Sequence, residues 1–157
     1  MYVGSCNIGV SFDDENSTDN VAVTFDFTVN VQDQVPPLIS YVDSLNGVAD
    51  DGLYTLSQTV DLVVKFDEPV VVNTTDGSPR MFLETGAVDR QVAYTGQNGD
   101  RTEMRFQYTV QQDDMSSDLS IHSTVSYLDL GGALVEDDYG NTEVNFPVPK
   151  PADTCLL

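Results

Sequence analysis

Basic residues are scarce in this 157-residue chain, which has 6 Lys+Arg against 26 Asp+Glu and a formal net charge of -20. Nucleic acid and anionic membranes both need a basic face on their partner, so this balance argues against either of them. No stretch approaches the run of about 18 apolar residues that a membrane-spanning helix needs. Hydrophobic residues still make up 40% of the chain, so the acidity is not a signature of disorder.

Histidine, cysteine and tryptophan are also rare, with 1 His, 2 Cys and no Trp. A single histidine, His122, cannot supply a Ser/His/Asp or Cys/His arrangement, and a zinc site would need further soft ligands near it. Asp67 and Glu68 are adjacent carboxylates of the type that glycosidases use, but neighbouring residues at a strand end point apart. We therefore expect no enzyme.

The two cysteines, Cys6 and Cys155, lie at opposite ends of the chain. They are compatible with one intrachain disulfide, with two unrelated thiols, or with partners in neighbouring chains. The sequence does not choose among these three.

Alternation of apolar and polar residues is the dominant pattern, and no window of useful length has helical periodicity. The clearest case spans eleven residues, in which one face is formed by Val21, Val23, Phe25, Phe27, Val29 and Val31. A period of two with β-branched and aromatic residues predicts a strand. Together with a shorter strand from Asn7 to Phe12, it suggests a hairpin, which is marginal in water unless its apolar face is covered.

A stiff linker, Gln32-Asp33-Gln34-Val35-Pro36-Pro37, follows this strand. Proline fixes φ and pushes the preceding residue into extended geometry, which makes the linker an extended joint. The predicted organisation is a hairpin segment at residues 1–34, a β-domain at residues 35–150 and a tail at residues 151–157. The segment is either the end of a preceding module or a docking element for this domain or another chain.

Seven short strands are predicted after the linker, separated by Gly, Asp and Asn turns. They lie at Leu38 to Val42, Val60 to Phe66, Met81 to Glu84, Gln91 to Thr95, Met104 to Val110, and near Ser126 to Leu130 and Thr142 to Phe146. This spacing is typical of an all-β, Ig-like two-sheet antiparallel β-sandwich. The tryptophan and paired cysteines of an antibody domain are missing.

Several blocks resemble a known repeat, in the order Gly52-x-Tyr54, Phe66-Asp67-Glu68-Pro69-Val70, Met81-Phe82-Leu83-Glu84-Thr85-Gly86, Arg90-x-x-Ala93-Tyr94, Phe106-x-Tyr108-Thr109-Val110 and Asp137-Asp138-Tyr139-Gly140-Asn141. From about Pro36 to Pro149 the chain resembles the bacterial Ig-like or cadherin-like repeats of large secreted surface adhesins and swimming-associated cell-surface proteins. The resemblance implies an extracellular rod segment, repeated in tandem and often stiffened by calcium at the joints. It implies no particular ligand.

Alternating strand directions bring the loops Asp67 to Pro79, Gly96 to Arg101 and Gly131 to Asn141 to the pole where the linker enters. Calcium takes 6–8 hard oxygen ligands. The acidic residues of these loops, together with Asp33, therefore predict a Ca²⁺ site whose candidate ligands are Asp33, Glu68, Asp137, Asp138 and Asn141. The alternative is that these residues only shape tight turns, as Asp commonly does. Asp50, Asp51, Asp113 and Asp114 form a weaker candidate at the opposite pole.

The leading functional expectation is a structural or adhesive module of an extracellular surface protein or filament. Its expected partners are neighbouring modules or further copies of the chain, with surface glycans as a possible ligand. If residues 1–34 pair with an open sheet edge of another copy, the chain polymerises by strand addition. A carbohydrate- or ligand-binding β-sandwich is the alternative, favoured only if aromatic residues such as Phe82, Tyr94, Tyr108 and Tyr127 form an exposed row. Residues 1–5 lack a secretion leader, so a secreted protein of this sequence would be a cut-out or a processed product.

Overall fold

The computed structural model describes residues 5–12, 23–45, 54–116, 119–121, 128–143 and 145–148; for 5–12 and 23–30 it describes the backbone alone. The chain divides into two compact units, Met1–Gln34 and Val35–Leu157. The described residues form strands, turns and bends, with no helix among them. The same residues accordingly contain no helix long and apolar enough to cross a membrane.

The first unit is an antiparallel pair of strands, β1 (Ser5–Phe12) and β2 (Val23–Asn30). Their register runs without interruption from Ser5 opposite Asn30 to Phe12 opposite Val23. The alternating sequence of β2 favours this extended conformation. Together the two strands form a sheet of their own.

The second unit contains a curled six-stranded antiparallel sheet in the order β3-β4-β8-β7-β6-β9. Its strands are β3 (Ile39–Ser44), β4 (Thr59–Phe66), β6 (Arg80–Glu84), β7 (Arg90–Gln97), β8 (Glu103–Thr109) and β9 (Ser120–Ile121). A further antiparallel pair, β5 (Val71–Asn73) and β10 (Leu134–Glu136), forms a small separate sheet. The predicted all-β, antiparallel class is confirmed.

The core is built on β4 and β8, whose apolar residues face each other in register. Leu62 lies opposite Phe106, and Val64 lies opposite Met104. All four side chains are fully buried. Burying a side chain of this size contributes about 1.5–3 kcal/mol, as an upper estimate, so these few rungs carry much of the stability. Val60 and Tyr108 are buried beside them, as the alternating pattern requires.

Residues outside the six-stranded sheet complete this core. Val135 of β10 is fully buried in the same cluster, and Val72 of β5 packs against it. Phe146, after β10, packs edge-on against Phe66 with ring centroids 5.5 Å apart. The small sheet and the chain after it therefore share one hydrophobic core with the large sheet.

The strand prediction differs from the structure in the last third of the chain. A strand near Thr142 to Phe146 is expected from the sequence, but among the described residues of this range the structure has only an isolated bridge from Glu136 to Thr142. Phe146 is buried, and its carbonyl accepts the Leu128 N–H at 3.0 Å. Pro147, which follows it, has no backbone N–H to extend a ladder. Of the region from Ser126 to Leu130, residues 128–130 are described, and they form a bridge from Asp129 to Arg80.

Candidate functional site

Backbone hydrogen bonds hold two loops of the second unit together at the end of β4. The Val70 N–H donates to Arg101 O at 3.0 Å, and the Phe66 N–H donates to Thr102 O at 2.9 Å. Arg101 adopts a left-handed φ of 61°, which turns the chain into β8. Its guanidinium forms two parallel hydrogen bonds of 2.8 Å with the carboxylate of Asp138. The loop that follows β10 is thereby tied to the β7–β8 loop.

Asp137 is the centre of the loop that follows β10, and only 2% of it is exposed. Its Oδ1 accepts the backbone N–H groups of Tyr139 and Asn141, each at 2.8 Å. Its Oδ2 accepts Asn141 Nδ2 at 2.7 Å. Gly140, at a φ of +83°, allows the tight turn that these contacts require. The sequence Asp137-Asp138-Tyr139-Gly140-Asn141 thus folds around the carboxylate of its own first residue.

The hydrogen bonds to Asp137 keep its carboxylate ionised. Burial raises the pKa of this group, but the hydrogen bonds from the Asn141 side chain and from the backbone of Asn141, Tyr139 and Gly140 lower it by more. The net pKa lies below the usual value of an aspartate, so a negative charge is present in an almost fully buried position at neutral pH. A buried anion that already accepts several hydrogen bonds is a suitable ligand for a hard cation.

Two carboxylates of the second unit approach each other closely: one oxygen of Glu68 and one of Asp137 lie within 4.8 Å of each other. Asp137 is almost fully buried, and Glu68 is half-buried. Like charges at this separation repel each other, and burial strengthens the repulsion because the surroundings screen it poorly. A cation held by the two oxygens would remove that repulsion.

The donor set fits a hard divalent cation. Carboxylates offer hard oxygen ligands, and calcium accepts both monodentate and bidentate carboxylates at flexible geometry. Each carboxylate oxygen has about two acceptor positions, so Asp137 Oδ2 can coordinate a cation while it accepts the hydrogen bond from Asn141 Nδ2. The group contains no sulfur or imidazole ligand, which argues against zinc.

The predicted ligands therefore separate by place and role. Glu68 and Asp137 bring two carboxylate oxygens of the second unit close together. Asn141 orients Asp137 through its backbone and its side chain. Asp138 is engaged through both of its oxygens by Arg101. Asp33 belongs to the first unit.

Arg101 is the residue of this region that sequence reasoning missed. Its signal was present, because it is the single basic residue in a loop that was expected to meet acidic ones. The choice of Asp138 as its partner depends on the three-dimensional path of two loops 37 positions apart in sequence, which no local pattern shows.

The acidic residues at the other pole have a structural role where they are described. Asp114 accepts hydrogen bonds from Arg90 Nε and from the Gln111 N–H, each at 2.8 Å, and from the Tyr108 hydroxyl. Asp113 lies in the adjoining turn at a φ of 71°. Asp50 and Asp51 lie outside the described residues, as do His122 and Cys155.

The aromatic residues that would mark a carbohydrate-binding face do not form an exposed row where the structure describes them. Tyr108 is buried, and Phe82 and Tyr94 are half-buried. Tyr94 packs edge-on against Phe106 with ring centroids 6.0 Å apart. Tyr127 lies outside the described residues.

Comparisons with known proteins add no relative to this picture. No family model matches the chain, and no curated protein and no solved structure is significantly similar to it.

Proposed function

We propose that the chain is a structural module of a multidomain extracellular protein and that it binds a divalent cation, calcium by preference, through Glu68 and Asp137. The domain at residues 35–150 acts in this proposal as an Ig-like β-sandwich that spaces and stiffens an assembly. The role requires no catalysis. The observation that carries it is the approach of the Glu68 and Asp137 carboxylates to within 4.8 Å, with Asp137 almost fully buried.

The sandwich part of the proposal is supported by the shared core. Val135 and Val72 come from the small sheet and pack in the same hydrophobic cluster as Leu62 and Phe106 of the large sheet. Two antiparallel sheets that bury their inner faces against each other define a sandwich. The sequence blocks that resemble extracellular Ig-like repeats support the same architecture and the same surroundings.

The calcium part is supported by charge and by ligand chemistry. The chain has a formal net charge of -20, which costs folding stability through self-repulsion unless cations offset it. Extracellular modules commonly bind calcium with dissociation constants of about 10⁻⁴–10⁻³ M, so a site built on carboxylates suits an environment with abundant calcium.

The test is a thermal melt of the whole chain in EDTA and in millimolar calcium, at matched ionic strength. A ligand that binds only the folded state raises its stability by about 2.7 kcal/mol at 100 times the dissociation constant. With the dissociation constants given above, millimolar calcium corresponds to about 1–10 times the constant, which adds about 0.4–1.4 kcal/mol. We therefore expect a higher melting midpoint in calcium, together with a saturable heat of binding in a calorimetric titration. An unchanged midpoint and no binding heat would remove the calcium proposal.

Matched variants separate specific binding from general screening. Glu68→Gln removes one charge from the group, whereas Asp76→Asn removes one charge from an exposed residue outside it. We expect the calcium-dependent shift to fall sharply in Glu68→Gln and to persist in Asp76→Asn. Equal losses in both variants would mean that calcium acts only on the net charge.

A further inference from the structure

Strand β3 forms one edge of the six-stranded sheet, with β4 as its only neighbour among the described strands. The Leu45 N–H donates to Asp61 O at 2.7 Å, which identifies Leu45 as a position whose backbone faces β4. Such positions alternate along an antiparallel ladder, so Asp43 also faces β4. The backbone N–H and C=O groups of Val42 and Ser44 therefore point away from the sheet.

Among the described residues, the middle of this edge is the part that no strand, bulge or side chain occupies. The Ser44 N–H is occupied by Oδ1 of Asp43 at 2.8 Å, and a bulge between Ile39 and Tyr41 interrupts the register at the other end. Side-chain caps and bulges are the usual means by which proteins block an edge strand. What remains is a short segment centred on Val42, beside the exposed side chain of Tyr41, which is 47% exposed.

The strand most compatible with this opening is one that brings little charge. Two copies of a chain with a net charge of -20 repel each other, so contact is least opposed where both surfaces are nearly neutral. Strand β1 contains no charged residue, and β2 contains one, Asp26. Strand β3 contains one as well, Asp43.

The β1–β2 hairpin also gains from a third strand. It forms a two-stranded sheet of its own, and an isolated hairpin is marginally stable in water. Its strands are eight residues long, which exceeds the six residues of β3. Each strand of the pair has one side without a partner strand among the described residues, as an added strand requires.

We propose that the β1–β2 hairpin of one copy adds to the β3 edge of a second copy around Val42. This inference deepens the proposed structural role by naming the partner as the chain itself. The donor and acceptor surfaces differ, so the contact is head-to-tail and propagates into an open chain of copies instead of closing as a dimer.

Sedimentation of the whole chain over a concentration series tests the proposal, and EDTA in the buffer keeps the result independent of calcium. We expect species larger than a dimer to accumulate with concentration. Val42→Pro removes the outward N–H, which an edge strand tolerates, and Tyr41→Lys adds a charge beside it. We expect both variants to remain monomeric. Val88→Lys, in an exposed loop, adds the same charge elsewhere and should assemble as the parent does.

Amide hydrogen exchange at high and low concentration identifies the donor strand. Protection that rises with concentration in both residues 39–44 and the β1–β2 hairpin supports the proposal. A parent chain that stays monomeric at every concentration overturns it, and so does assembly that persists in Tyr41→Lys and Val42→Pro. Assembly that stops at a dimer, with added protection in β3 alone, overturns the hairpin as donor. A failed calcium melt would leave each of these results unaffected.

Discussion

Asp114 shows how one acidic residue supports the fold of a chain with excess negative charge. Its side chain is 6% exposed and pairs with Arg90 at 2.8 Å. It also accepts a hydrogen bond from the Tyr108 hydroxyl, and this bond links β8 to the residues that follow the strand. The acidity of the sequence is thus partly structural, because some carboxylates serve as hydrogen-bond acceptors in the interior.

We expect Asp114→Asn to destabilise the fold by about 1–3 kcal/mol at neutral pH, because it leaves Arg90 and the Tyr108 hydroxyl without their charged acceptor. Denaturant unfolding at neutral pH measures this loss. Gln107→Ala, at an exposed position of β8, is the control and should change the stability little.

The same substitution should change the response to acid. Burial raises the pKa of Asp114, but hydrogen bonds from Tyr108, Gln111 and Arg90 and the charge of Arg90 lower it by more, so it lies below its usual value. A lowered pKa in the folded state stabilises the fold above the unfolded pKa of about 3.9, and this contribution is lost as the pH falls through the folded value. The difference in melting midpoint between the parent and Asp114→Asn should therefore begin to close as the pH falls below about 4, and it should vanish below the folded pKa of Asp114. A constant gap down to low pH would contradict this assignment.

Between secondary-structure elements, two loops approach each other backbone to backbone at Gly77, Gly131 and Gly132. A Cβ on Gly77 would lie 1.9 Å from Gly131 O, and one on Gly132 would lie 2.6 Å from Asp76 O. Arg80 fixes the same junction through its Nε, which donates to Asp129 at 2.7 Å. The approach leaves no space for a side chain between the loops.

Gly77→Ala should destabilise the fold by about 1–3 kcal/mol or more, because one backbone must move away from the other. Gly99→Ala is the matched control, since a Cβ at Gly99 meets no atom within 4 Å. Thermal melts of the two variants beside the parent chain make the comparison. Equal midpoints for both variants would contradict the close approach of the loops.

The sequence predicts an element well where alternation is long and poorly where pairing depends on distant partners. Strands β4 and β8 could be predicted because each has inward-facing apolar residues at every second position over seven residues or more. Strands β5 and β10 have three residues each and pair across more than 60 positions of sequence, as Leu134 does with Asn73. A segment of three residues is too short to show an alternation of apolar and polar residues, so its pairing follows from the tertiary fold.

The candidate site could be predicted in part for the same reason. Loop direction alone brings Glu68 and Asp137 towards one pole once the strands alternate. Arg101 distinguishes the neighbouring carboxylates of Asp137 and Asp138. Its guanidinium pairs with Asp138, whereas Asp137 lies close to Glu68. That selection comes from side-chain geometry and not from sequence spacing.

At the scale of the whole molecule, the net charge of -20 should make stability depend on salt. Added monovalent salt screens the self-repulsion of exposed carboxylates and should raise the melting midpoint of the chain in EDTA. A series in sodium chloride measures this, with sucrose at matched osmolality as the uncharged control. A midpoint that falls or stays level with salt would mean that the acidic residues are already compensated within the fold.

The junction between the linker and the domain has a mechanical consequence. The Leu38 N–H donates to Oδ1 of Asp67 at 2.8 Å, and the Asp67 N–H donates back to Leu38 O at 3.0 Å. Any tension applied through Pro36 and Pro37 would therefore reach this reciprocal pair before the ladder of β3 and β4. Both bonds would resist it at the first residue after the prolines, and one of the two depends on the side chain of Asp67.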